Sequence, residues 1–327
     1  MTILLWITLL TILAAEFVNG WTDAPNVIAT VVSTKVMTPR QAVFMAVILN
    51  IVGTLSGTAV AVTIGKGIVD IHVVTPQVIL VAMLSLILWS SGAAKFGIPT
   101  SESHALVAGL TGAVLYTAGA KALIGAGWIK VGFGLLASTI LGYGLTWLMA
   151  KLIIFVSPLF NARKSQIIYS RLQVFSSMFM AFNHGMNDGQ KFIGMFAMAL
   201  VVGGLLPVFG VPIWVILLCS ITMGVGTSIG GWTIIRKVGM QMVNIKPWQG
   251  FASQTGASFT ILLSSLLGIP LSTTHTINSA IMGSAGAMGR NKVNWKIAGN
   301  IVLVWFLTFP GCALLAYIMA WLADLIF

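Results

Sequence analysis

The feature that most constrains this chain is its succession of apolar stretches, each about 20 residues or longer, divided by short polar loops along the whole sequence. Runs of that length match a bilayer crossed by helices, and within lipid every backbone amide and carbonyl must pair inside its own segment or a closed barrel. The period-two alternation that marks a lipid-facing β-barrel is absent. Composition agrees, because 58% of the 327 residues are hydrophobic and 7% are charged, where a soluble domain carries about a quarter charged residues. The chain therefore reads as an all-α polytopic membrane protein with the lipid bilayer as its solvent.

The net charge of +11 does not point to nucleic acid. The basic residues sit in short loops between apolar spans, as the positive-inside rule expects, and no basic run alternates with aromatics on a polar surface. Cys219 and Cys312 lie far apart in separate spans and read as small packing residues. The amino-terminal MTILLWITLLTILAAEF lacks a basic leader and runs on into a further apolar stretch, so it reads as the first span and not as a cleaved segment.

The same order of five stretches occurs twice. The first half covers 3–34 (interrupted near Asn19–Asn26), 41–64, 76–95, 98–119 and 127–157. The second covers 172–203 (interrupted near Asn183–Lys191), 212–235, 249–268, 269–288 and 296–325. Two local matches support a duplication: Gly97-Ile98-Pro99-Thr100-Ser101-Glu102-Ser103-His104 aligns with Gly268-Ile269-Pro270-Leu271-Ser272-Thr273-Thr274-His275, and Gly20-Trp21-Thr22-Asp23 aligns with Gly185-Met186-Asn187-Asp188. Each pair falls at the same place in its half, which chance matches would not do. The organisation expected is a first transmembrane repeat over 1–160, a basic cytoplasmic linker over 161–171 and a second repeat over 172–327.

Loop charges then set an orientation. If the third and fourth stretches form a re-entrant hairpin, each half crosses an odd number of times and the two repeats are inverted. With both termini outside, the inner loops hold Lys35, Arg40, Arg163, Lys164, Arg171, Arg236, Lys237, Lys246, Arg290, Lys292 and Lys296, against Lys66, Lys121 and Lys130 outside. Inverted repeats, each with an interrupted helix, are the architecture of many secondary transporters.

Glu16, Asp23, Glu102 and Asp188 fall within apolar stretches, where a carboxylate costs several kcal/mol unless paired or hydrated. Asp23 and Asp188 occupy equivalent places, either capping helix ends or neutralising Na+ or carrying protons at the midplane. In the Gly-Ile-Pro segments, proline precedes a hydroxyl cluster and then a long apolar pattern, so Ser101 or Ser103, and Ser272 or Thr274, are candidate N-caps. Two helix N-termini inside the membrane can hold an oxyanion with backbone N–H groups and hydroxyls. His104 and His275 either orient those hydroxyls or make interhelical bonds. Lys191, three residues after Asp188, balances that carboxylate or approaches the anion, and Gln254 shares a helical face with Ser258 as a cavity lining.

On the segments GWTDAPNVIATVVSTKVMTP (20–39), FGIPTSESHALVAGLTGA (96–113), FNHGMNDGQKFIGM (182–195) and GIPLSTTHTINSAIMG (268–283), the chain resembles the inorganic phosphate transporter family (PiT) over nearly its whole length. The resemblance implies two inverted repeats with two re-entrant hairpins, a possible homodimer, and symport of phosphate with Na+ or H+ in the plasma membrane. It implies that Asp23 and Asn26, with Asn187 and Asp188, hold the cation, with Na+ at Asp23 and Asp188. Thr100, Ser101, Ser103, Ser272, Thr273 and Thr274, with Gln190, would bind phosphate, and Glu102, His104, His275, Lys191 and Gln254 would support them. Thr22 stands where the family commonly has Asn, and Glu102 interrupts what is commonly a serine run, where it would repel phosphate, pair with a cation or take up a proton. A sulfate permease of the same fold is the alternative expectation, and an ion channel a more distant one. No nucleophile, base and orienting group stand at a diagnostic spacing, so no enzyme and no cofactor beyond the coupling ion is expected.

Overall fold

The polar signals at helix starts are realised as caps. Thr38 opens α2 with a capping box closed by Gln41 and Pro39 at the first turn, Thr75 caps α4 ahead of Pro76, and Asn161 caps α7. The computed structural model describes residues 3–159 and 161–326. The helices are α1 (Ile3–Ser33), α2 (Pro39–Thr54), α3 (Ala59–Gly67), α4 (Pro76–Lys95), α5 (Glu102–Thr117), α6 (Gly125–Val156), α7 (Ala162–Val202), α8 (Ile213–Ile229), α9 (Trp232–Arg236), α10 (Pro247–Leu266), α11 (Thr273–Gly286) and α12 (Trp295–Ile326). By length and composition α1, α4, α6 and α12 can each cross a membrane, and α2 with α3, bent by 67° at their break, is either a broken fifth span or a re-entrant loop. Residues 162–171, expected as a linker, form the amino-terminal turns of α7.

The interruptions lie elsewhere than the sequence suggested. The helix α1 runs unbroken through Asn19–Asn26 even with Pro25 inside it, and α7 runs unbroken through Asn183–Lys191. Thr22, Asp23, Asn26, His184, Asn187 and Asp188 are buried and bond to side chains of neighbouring helices, so the backbone has no need to unwind. The breaks fall in the second stretch of each half, at 55–58 between α2 and α3 and at Gly230-Gly231 between α8 and α9. Gly231 has φ +45°, and a Cβ there would meet Pro25 Cγ at 2.8 Å and the Trp21 carbonyl oxygen at 2.9 Å. Trp21 is the residue whose carbonyl loses its i+4 donor to Pro25, so this part of α1 and the break before α9 pack together.

Packing exchanges partners between halves. The helix α1 lies on α8 and α7 on α2, while α5 lies on α12 and α11 on α6. At the first two crossings backbones meet directly: a Cβ on Gly20 would sit 2.3 Å from Met223 O and one on Gly226 2.2 Å from Phe17 O, while Gly185 faces Asn50 O at 2.1 Å and Gly53 faces Phe182 O. These are the small-residue contacts that drive helix association in lipid, where burying apolar side chains offers little. The helices α5 and α11 are enclosed over almost their full length, whereas α6 and α12 present Ile129, Phe133, Leu136, Ile140, Leu303, Phe306 and Leu314 outward.

Gly185→Val is therefore expected to destabilise the protein by about 1–3 kcal/mol or more through overpacking. Thermal unfolding in detergent checks this, with Gly132→Ala, where a Cβ meets nothing within 4 Å, leaving the midpoint unchanged.

Candidate functional site

The two hairpins are built alike. Each first helix ends at a glycine with positive φ, +65° at Gly97 and +64° at Gly268, where a residue with a Cβ would be strained. The amides of Gly97 and Ile98 return to Ala94 O and Ala93 O, and those of Gly268 and Ile269 to Ser265 O and Ser264 O. Proline then prevents renewed helix, and the chain turns until a serine caps the second helix: Ser101 Oγ accepts from His104 N at 3.3 Å and Ser272 Oγ from His275 N at 3.1 Å. A threonine from the other half's broken stretch holds each bend, Thr233 Oγ1 donating to Ala94 O (3.1 Å) and Thr63 Oγ1 to Gly268 O (2.7 Å). The hairpins meet where Ser103 Oγ donates to Leu271 O at 2.7 Å.

The buried faces of α1 and α7 converge on that meeting point. Thr274 Oγ1 donates to Asp23 Oδ1 at 3.0 Å and accepts from Asn26 Nδ2 at 2.9 Å. Thr273 Oγ1 donates to Asp188 Oδ2 at 2.9 Å, and Lys191 Nζ lies 2.5 Å from Asp188 Oδ1. Lys191 also donates to Ser103 Oγ and to Leu271 O. Glu102 is held from two helices, accepting from Thr22 Oγ1 of α1 at 2.8 Å and Ser90 Oγ of α4 at 2.7 Å. Thr22, which replaces the asparagine of the resembled pattern, thus pairs with the carboxylate that replaces a serine.

Other expected residues stand around this cluster. Asn187 Nδ2 donates to Ser265 Oγ on α10 (2.8 Å). Gln190 Oε1 accepts from Val60 N (2.9 Å), so it caps α3 and is turned from the hydroxyl cluster. Gln254 accepts from Ser176 and Ser177 and donates to Val27 O, tying α10 to α7 and α1. His104 and His275 meet edge to face at 4.6 Å, and His275 stacks on Trp305 at 3.8 Å. Both line an otherwise largely apolar cavity of about 520 Å³ against α6 and α12, where Nδ1 of both rings and Nε2 of His275 are buried without a hydrogen-bond partner. Thr100 is buried in its hairpin turn.

Two contributors carry no role in the sequence reading. His184 reaches Asn50 Oδ1 through Nδ1 (3.2 Å) and faces Asp188 Oδ2 through Nε2 at 3.6 Å; its i,i+4 spacing from Asp188 was the available signal. Glu16 is fully buried with Asn19 Nδ2 at 3.4 Å, two turns before Asp23 on the same face of α1. Ligand atoms of Asp23, His184 and Asp188 all lie within 4.8 Å of one another, and Asp23 Oδ2 is buried without a hydrogen-bond partner. Carboxylate oxygens and an imidazole at that separation can share one small cation.

A family model described as the phosphate transporter family matches residues 19–316. A "Probable low-affinity inorganic phosphate transporter" of Rhizobium meliloti (strain 1021) is 40% identical over 316 residues, covering 95% of this chain and 94% of the relative. A protein of the same description from Bacillus subtilis (strain 168) is 37% identical over 334 residues, covering all of both chains. A solved structure titled "The sodium-dependent phosphate transporter" superposes with a TM-score of 0.88 at 24% identity and covers 100% of each chain.

The bond of Asn26 to Thr274 is expected to appear as coupling: in a double-mutant cycle, Asn26→Ala and Thr274→Val deviate from additivity by about 0.5–3 kcal/mol, read from unfolding midpoints in detergent. Additive effects would show that the two side chains do not interact.

Proposed function

The chain belongs to the phosphate transporter family and is a multi-pass membrane protein, and from that premise we propose that it imports inorganic phosphate across the plasma membrane by symport with Na+ or H+. The observation that carries this reading is the linkage of cation and anion groups through the hairpin threonines. Thr273 and Thr274 donate their hydroxyls to Asp188 and Asp23. A cation or proton arriving at these carboxylates weakens them as acceptors and frees the hydroxyls. The freed hydroxyls of Thr273 and Thr274, with the first amides of α5 and α11, then offer an oxyanion its donors at two positive helix ends. Cation loading thereby prepares the phosphate site, and each ligand favours the other.

Charge balance supports the same coupling. Among the described residues the buried acids are Glu16, Asp23, Glu102 and Asp188, and the one buried lysine or arginine is Lys191. Uncompensated carboxylates inside a membrane cost several kcal/mol each, so bringing in a further anion requires accompanying positive charge. The loop charges and the repeated elements favour two inverted repeats, with both termini outside and the hairpins entering from opposite sides. Movement of one group of helices against the other would then expose the shared site to each side in turn. The sodium-dependent description of the superposed structure favours Na+ among the two ions, and the further buried carboxyl of Glu102 favours H+.

Purified protein in liposomes is expected to accumulate labelled phosphate under an imposed Na+ or H+ gradient, with Asp23→Asn and Asp188→Asn each abolishing accumulation while the protein stays in the membrane. Uptake that ignores both gradients, or uptake of sulfate alone, would sink the reading.

A further inference from the structure

Lys191 is one of the largest fully buried side chains, with 0% exposure. An ammonium has three N–H donors, and three acceptors surround this one: Asp188 Oδ1 at 2.5 Å, Ser103 Oγ at 2.5 Å and Leu271 O at 3.1 Å. Every donor of the charged form is used. A carboxylate, a hydroxyl and a backbone carbonyl freed by the hairpin bend are also the hard oxygen donors that suit a small metal cation. The cage is thus a cation site whose cation is attached to the chain.

The duplication supplies the comparison. Aligning Asp23 with Asp188 places Asn26 opposite Lys191, and aligning Gly97–His104 with Gly268–His275 places Thr274 opposite Ser103 and Glu102 opposite Thr273. The contacts repeat with the alignment: Asn26 donates to Thr274 as Lys191 donates to Ser103, each across the two halves. The chemistry does not repeat. The first position holds the Asp23 carboxylate with the Thr274 hydroxyl and the Asn26 amide, while Glu102, aligned with Thr273, bonds to Thr22 and Ser90 instead. Its counterpart holds one carboxylate, Asp188, with a hydroxyl and an ammonium. Only the first lacks positive charge, and there Asp23 Oδ2 is buried without a partner.

We propose that Lys191 is a tethered cation filling one of two equivalent cation positions, so that a mobile cation is taken up only at the Asp23 position. This rests on the symport reading and narrows it, since a Na+ ion cannot enter the Asp188–Ser103–Leu271 cage while the ammonium occupies it. Binding of radioactive sodium to purified protein tests it. Lys191→Ala is expected to bind about one more Na+ per chain than the wild type, and the added Asp188→Asn change to remove that ion again. Lys191→Asn, which copies the counterpart residue, is expected to behave alike and serves if the alanine variant does not fold. An unchanged Na+ count in either folded variant overturns the proposal. Phosphate uptake by the wild type is scored separately: its absence overturns the transport reading, and the Na+ count still decides the role of Lys191.

Discussion

Two hydrogen bonds from the first turn of α11, Thr273 to Asp188 and Thr274 to Asp23, hold the centre of this molecule together. They join the second hairpin to both long polar helices, and Ser103 brings the first hairpin to the same point through Leu271 O. A buried carboxylate deprived of such a donor costs about 1–3 kcal/mol or more, so the four elements are fixed by the need of two anions for partners. The same need makes the arrangement responsive. Whatever neutralises the carboxylates also removes the reason for the hydroxyls to point at them.

The hairpins and their caps were legible because each rests on local chemistry. Gly97 and Gly268 supply a left-handed bend, proline stops the helix, and a serine restarts it. The likeness of the two hairpins was legible for the same reason, since the same residues recur in order. The long polar helices were misread because Asn19, Asp23, Asn26 and Pro25 resemble a loop when taken along the chain. Their partners, Thr274 on α11 and Gly231 beside Pro25, lie more than 200 residues away, and only tertiary contact shows that the helix continues. The true breaks at 55–58 and Gly230-Gly231 carried glycine signals, but these lay inside stretches that were apolar enough to read as single spans.

Within the site, Asp23, Asn26, Asp188, Thr273, Thr274, Ser103 and Lys191 are brought together, while Gln190, Asn187 and Gln254 serve neighbouring junctions. Sequence distinguishes residue types and not the direction in which a helix turns them. Gln190, two residues after Asp188, lies on another side of α7 and reaches α3. His184, one turn before Asp188, shares its face and enters the cluster. Glu102 shows the complementary case: a residue that looked out of place beside an anion site is matched by Thr22 and Ser90, two hydroxyls on other helices.

The exchange of packing partners between the halves bears on how such a chain is made. When the ribosome has released the first half, the faces of α1, α2 and α5 that receive α8, α7 and α12 have nothing to meet. Gly20 and Gly53 are then bare backbone awaiting the carbonyls of Met223 and Phe182. Assembly is completed only when the second half is inserted, and until then the first half is held by its own packing of α4 against α1 and α5.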